Sequence, residues 1–256
     1  MMFRSAAALV FLVTGLPAKA EPPLPAGISE VAVVGAVQSP GVVQVKQGGR
    51  ISDVLNAVRP DAAAYLLGGS LQREHERQDQ VRQRAGLLHT LGQLPQHENL
   101  DVRVAGALLH DWLDAHPATG RVRLVLDRRL MQVQPLNNPI ATQGDSIMIP
   151  LRPQTVHVIG AVTQPCELPH QPLQDAKTYL ARCPVSGAAD PSTLYVVQPD
   201  GLVQALGVAA WNRADPQPVA AGGTIYVPIR ESALKRIDAS FNEDFASFVA
   251  TQPVDP

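Results

Sequence analysis

The chain has 256 residues, of which 45% are hydrophobic, 17% charged and 4% aromatic, and its formal charge at neutral pH is −2. This composition excludes a disordered or collagen-like chain, two cysteines exclude a disulfide-dense scaffold, and the near-neutral charge leaves no nucleic-acid footprint. The 23 prolines favour short strands and turns over a helical bundle, and past the N-terminus no apolar run is long enough for a stable transmembrane span.

The first segment is a targeting pattern. Arg4 precedes the apolar run Ala6–Val13, Gly15 and Pro17 break it, and Ala18-Lys19-Ala20 offers small residues at the −3 and −1 positions of a cleavage site. A signal peptide over residues 1–20 follows, since the run is too short for a membrane anchor. Cleavage after Ala20 would remove Arg4 and Lys19, leaving 19 basic against 23 acidic residues. A mildly acidic exported chain has little general attraction to anionic lipid or polyanions.

The mature chain begins with alternating β-branched residues, Val31 to Val34, that read as a strand. Gly35 and Pro40 frame a turn, and Val42-Val43-Gln44-Val45 reads as the partner strand. Ile51, Val54, Leu55 and Val58 then fall on one face of a short helix. Residues 62–118 read as an inserted helical hairpin. Its first helix is expected over Leu71–Leu94, with Arg73–Gln80 a solvated face and Val81, Ala85, Leu88 and Leu91 the apolar stripe. Val104, Ala105, Leu108, Leu109 and Trp112 form the second stripe, ended by Pro117. Val122–Leu126 reads as the next strand, Asp127 as its turn, and Ile147-Met148-Ile149-Pro150 as the last strand.

Much of this pattern recurs. Gly35-Ala36-Val37-Gln38-Ser39-Pro40 returns as Gly160-Ala161-Val162-Thr163-Gln164-Pro165, and Gly144–Arg152 returns as Gly222–Arg230. Two ordered matches at both ends of a unit argue for an internal duplication. In the second copy Leu173, Ala176 and Leu180 repeat the helical face, with Pro172 suited to a first helical position, and Leu194–Val197 aligns with Val122–Leu126. The domain boundaries are then 21–152 for the first unit, 153–230 for the second and 231–250 for a terminal helix. Each unit is a small α+β module whose helix covers one sheet face.

Cys166 and Cys183 are the chain's only cysteines, and export places them in an oxidising compartment. One disulfide is expected, stapling helix to hairpin; the alternative is two buried thiols. In the terminal helix, Leu234, Ile237, Phe241, Phe245 and Phe248 share a face. It either docks on its own domain or serves as an arm for a partner. Its acidic polar face argues against anionic lipid.

The repeated strings, together with Thr119-Gly120-Arg121, the helical insert and the terminal helix, resemble the GfcC capsule-biosynthesis family over roughly Val31 to Gln252. The resemblance implies tandem β-grasp (SLBB-like) domains, the first with an inserted helical hairpin, similar to domains of Wza-type polysaccharide exporters. It further implies a periplasmic, non-enzymatic accessory of capsule or exopolysaccharide export, whose partners are polysaccharide or export proteins. A polysaccharide-modifying enzyme with a site near Arg121 and a purely structural docking module are the alternatives.

No zinc-protease, nucleophile-elbow, phosphate-loop or dinucleotide pattern occurs in the chain, so no cofactor, metal or catalytic residue is assigned. Ligand-binding candidates are Arg121, Asp127 and Trp112. The Arg121 guanidinium suits a carboxylate or sulfate of a sugar polymer, or else ties the insert to the sheet through Asp127 or backbone carbonyls. Trp112 and Trp211 suit sugar stacking or packing. Asp127 with Asp145 is a formal carboxylate pair.

Overall fold

A computed structural model describes residues 27–254; the signal peptide read at residues 1–20 lies outside the described residues. The first unit opens with the hairpin β1 (Ile28–Gly35) and β2 (Gly41–Lys46), followed by α1 (Ile51–Val58). Then come β3 (Ser70–Gln72), α2 (Glu74–Leu91), α3 (Leu100–Ala115), β4 (Arg121–Val122), α4 (Arg128–Val133) and β5 (Ser146–Ile149). The second unit holds β6 (Thr155–Gly160), β7 (Cys166–Pro169), α5 (Ala176–Leu180), β8 (Thr193–Val197), β9 (Val203–Gly207) and β10 (Thr224–Val227). Two helices close the chain, α6 (Glu231–Leu234) and α7 (Phe241–Val249). No described helix is long and apolar enough to cross a membrane.

The two units have five-stranded sheets of equivalent order, β2-β1-β5-β3-β4 and β7-β6-β10-β8-β9. In each, the first strand runs antiparallel to the second and parallel to the last. Even the register repeats, since Gly35 pairs with Ile149 and Gly160 with Val227. These glycines explain the repeated Gly-Ala-Val string. Their φ values are 96° and 105°, and a Cβ on either would collide with the carbonyl of its strand partner. Those same carbonyls accept the amides of Ala36 (2.7 Å) and Ala161 (2.8 Å), so the chain turns away only where no side chain intervenes.

Sheet order corrects the alignment of the third strand. The counterpart of β8 is β3, and Arg121–Val122 occupies the place of β9. Leu71 and Gln72, expected to open a helix, belong to the strand Ser70–Gln72 because Leu71 enters the core between Ile147 and Val122, and the helix begins only at Glu74. The helical hairpin therefore interrupts the third and fourth strands. Leu124 and Leu126 fill the first core without sheet pairing.

Both cores are built as the apolar patterns require, with one departure. In the first unit Ile51, Val54, Leu55 and Val58 of α1 lie under β1 and β5, as their spacing predicts. The hairpin, by contrast, packs into the core of the second unit: Leu87, Leu91, Leu109 and Leu113 join Val156, Tyr226, Phe245 and Phe248 in one cluster. The stripe on α2 is rotated from the expected one. Gln80 and Leu87 are buried, whereas Val81 is 46% exposed. Arg73–Gln80 is not a uniformly solvated face. Arg73 pairs bidentately with Asp145 (3.0 Å each), and Gln80 bridges the Gly120 amide (2.7 Å) and the Arg121 carbonyl (3.0 Å).

The terminal segment is two helices rather than one. Asp238 accepts the Ser240 amide (3.0 Å) and the Thr90 hydroxyl (3.0 Å), which breaks the helix and pins the break to α2. Leu234, Phe241, Phe245 and Phe248 are buried on the protein's own surface. In the second unit α5 starts at Ala176, capped by Asp175, and Leu173 stands outside it, 84% exposed at φ 60°. Cys166 and Cys183 are bonded, joining the start of β7 to the residues just after α5.

Candidate functional site

Each sheet has an inner face covered by its own short helix and an outer face. On the outer face of the second sheet, the strand alternation that buries Val156 and Val158 presents Thr155 and His157 on the other side. His157 stands directly opposite Glu167 on β7 and beside Thr224 on β10. The helices α3 and α7 cover only part of this face. The rest is the floor of a groove of about 1060 Å³.

Its walls come from four separate stretches of chain. The last turn of α3 brings Trp112 and His116, β5 and the link to β6 bring Met148 and Arg152, the β8–β9 turn brings Gln198 and Pro199, and the tail brings Gln252 to Val254. Trp112 is half-buried, with His116 stacked on it at 3.9 Å and 12°. Phe245 and Phe248 pack on it at 5.4 and 6.4 Å. His116 Nδ1 donates to the Trp112 carbonyl (2.6 Å), so Nδ1 carries the proton and Nε2 is left for the groove.

Arg121 lies at the back of the groove and is 3% exposed. Its guanidinium donates to the carbonyls of Gln252 (2.6 Å), Gly69 (3.5 Å) and Pro199. These belong to the tail, the first unit and the second unit, so one side chain clasps all three. Burial pulls its pKa down to about 10, opposed by the negative charge of Asp200, and the group stays protonated at neutral pH. Its Nε has no partner among the described residues. Thr119 reinforces the clasp through its hydroxyl, which donates to the Thr251 carbonyl (2.8 Å).

The structure therefore brings Arg121 and Trp112 to one groove and leaves Asp127 elsewhere. Asp127 caps α4, accepting the amides of Arg129 (2.8 Å) and Leu130 (2.9 Å), and makes no bond to Arg121. Asp145 is held by Arg73 and by the Thr142 hydroxyl (2.7 Å), so the formal pair Asp127 and Asp145 is two separate structural carboxylates. Trp211 is 81% exposed and does not line the groove. Arg152, His157, Glu167 and His116 are groove residues that sequence reasoning missed. The alternation Val156-His157-Val158 carried the signal for one of them, since a polar residue between two buried valines must point to the opposite face.

Chemically, the groove offers amides, imidazoles and guanidinium groups beside an aromatic wall. Residues 30–148 match the family described as "Capsule biosynthesis GfcC, N-terminal" and residues 164–253 the one described as "Capsule biosynthesis GfcC C-terminal". The chain is also 28% identical over 183 residues to the Escherichia coli (strain K12) protein YjbG, described as uncharacterized, covering 72% of this chain and 74% of that one. The gap between the two matched regions, residues 149–163, holds the link from β5 to β6 and β6 itself, and the chain belongs to the GfcC capsule-biosynthesis family.

Proposed function

We propose that the protein is a periplasmic, non-catalytic accessory of capsule or exopolysaccharide export, and that it binds polysaccharide in the groove between its two sheet units. In this reading the units are β-grasp (SLBB-like) modules of the kind found in Wza-type exporters. Equivalent strand order and register in both sheets support it. The signal-peptide pattern and the Cys166–Cys183 bond support an oxidising, extracytoplasmic compartment.

The observation that carries the reading is the groove itself, about 1060 Å³ and walled by Trp112, His116, Gln198 and Gln252. Among the described residues its lining holds one carboxylate, Glu167, whereas most glycoside hydrolases work with two. Arg121 contributes to the site by holding its walls together, from a buried position behind them. The test is equilibrium binding of the purified mature protein to the capsule polymer of its own host. Saturable binding, abolished when Thr224→Trp fills the floor, is the expected result. Binding that the filled groove leaves unchanged would place the ligand elsewhere.

A second reading, a docking module of the export complex, is favoured by the outer face of the first sheet. There Val34 and Val42 are 50% and 65% exposed, and no helix covers them. Pull-down of an export component lost on Val42→Asp, with polymer binding retained, would select that reading.

A further inference from the structure

The groove reading leaves the chemistry of the polymer open, and one residue speaks to it. Arg152 stands in the link between β5 and β6 and lines the groove. Its guanidinium carbon sits 5.3 Å from the centre of the Tyr65 ring. Tyr65 is in turn fixed across the two units, its backbone amide donating to Pro150 (2.9 Å) and its hydroxyl to the Ala221 carbonyl (2.9 Å). The cation is thus held by a rigid ring, yet it is exposed and forms no salt bridge among the described residues.

The internal repeat sharpens the point. Arg152 and Arg230 are equivalent, each following the Pro that ends its unit's last strand by two positions. Arg230, which precedes α6, spends one guanidinium nitrogen on the Gly187 carbonyl, and its Nε is buried away from solvent. Only the first copy leaves the guanidinium unspent, and it does so at the groove. The lining as a whole leans the same way. It holds Arg121 and Arg152 against the single carboxylate Glu167, with His116 and His157 besides, on a chain whose formal charge is −2.

We infer that the groove selects an acidic glycan, with Arg152 as the residue that engages its carboxylates. This inference rests on the groove being the polysaccharide site. A guanidinium stacked on an aromatic ring keeps its edge N–H groups free, and two of them match the two oxygens of a uronate. Neutral sugar would leave this cation without a counter-charge.

The experiment compares oligogalacturonates with maltodextrins of matched length on the intact mature protein. Galacturonate binding that weakens with added salt, falls about tenfold in Arg152→Gln, recovers in part in Arg152→Lys and exceeds maltodextrin binding is expected. Glu167→Gln, which removes the lone carboxylate of the lining, should tighten galacturonate binding a few-fold. Equal affinity for both polymers, indifferent to Arg152 and Glu167, overturns the charge selection and leaves the groove reading intact. Binding of neither, with the host's own polymer still bound, overturns the charge selection alone; binding of none of the three overturns both.

Discussion

The two sheets share order, register and the glycine turn, but they are packed differently. The first is covered fully on one face and on the other only at β3 and β4, where Ser70 and Arg121 are buried. Along β1, buried Val31 and Val33 alternate with exposed or half-exposed neighbours, and the outer face keeps Val34 half in solvent. The second is covered on both faces, by α5 on one side and by the hairpin and α7 on the other, and β10 has three consecutive buried residues. The hairpin arises within the first unit, yet it completes the core of the second. An insertion can thus be covalently part of one module and energetically part of its neighbour, and it fixes the two together.

Breaking the covered face should cost most. Phe245→Ala removes a ring packed on Tyr226 (4.8 Å) and Trp112, and should destabilise the protein by about 3–5 kcal/mol in urea unfolding. The bare face supplies the control, since Val34→Ser should change stability by no more than about 0.5 kcal/mol. Comparable losses at the two sites would refute the asymmetry.

Next comes the disulfide, which only the second unit has. Loss of the Cys166–Cys183 bond should cost about 3 kcal/mol on the chain-entropy account, and the oxidised protein should show no titratable thiol. Arg121→Ala would strip a donor from three carbonyls that belong to three parts of the molecule. It should cost about 1–3 kcal/mol and loosen the coupling between units, seen as earlier hydrogen exchange in residues 249–254 than in β6. Undiminished stability would mean that the hairpin, α7 and the Tyr65–Ala221 hydrogen bond suffice to hold the units together.

The smallest difference is expected where the copies agree. Gly35→Ala and Gly160→Ala face similar positive φ and the same carbonyl collision, and a Cβ at Gly160 would also meet the Tyr226 ring at 2.8 Å. Each should cost about 1–3 kcal/mol, with Gly160→Ala the costlier by about 0.5 kcal/mol because of the Tyr226 ring. A larger inequality would show that strain at the turn depends on what covers the sheet.

Residue patterns made part of this legible. The stripe of α1 and the phenylalanine stripe of the tail were readable because both obey helical periodicity and both are buried. β3 was not, since Ser70-Leu71-Gln72 is too short to alternate, and only the partners of Leu71 reveal it as a strand. The break before α7 was hidden for a different reason. Spacing alone joined Leu234 to Phe248, whereas hydrogen bonds to Asp238 from Ser240 and from Thr90, distant in sequence, end the first turn. At the site, Arg121 and Trp112 drew notice as residue types. Arg152, His157 and Glu167 acquire meaning only once two sheets and a tail meet.

The sequence by itself determined the duplication, the chemistry of its turns and the pairing of its only two cysteines. Each of these is a local demand: a backbone that tolerates no Cβ, an apolar period, a sole partner for a thiol. Which core the hairpin enters, which carbonyls Arg121 clasps and which guanidinium stays free at the groove were decided by tertiary packing. Those outcomes depend on surfaces more than a hundred residues apart in the chain, as with Arg121 and Gln252 at a separation of 131, and no local period records them.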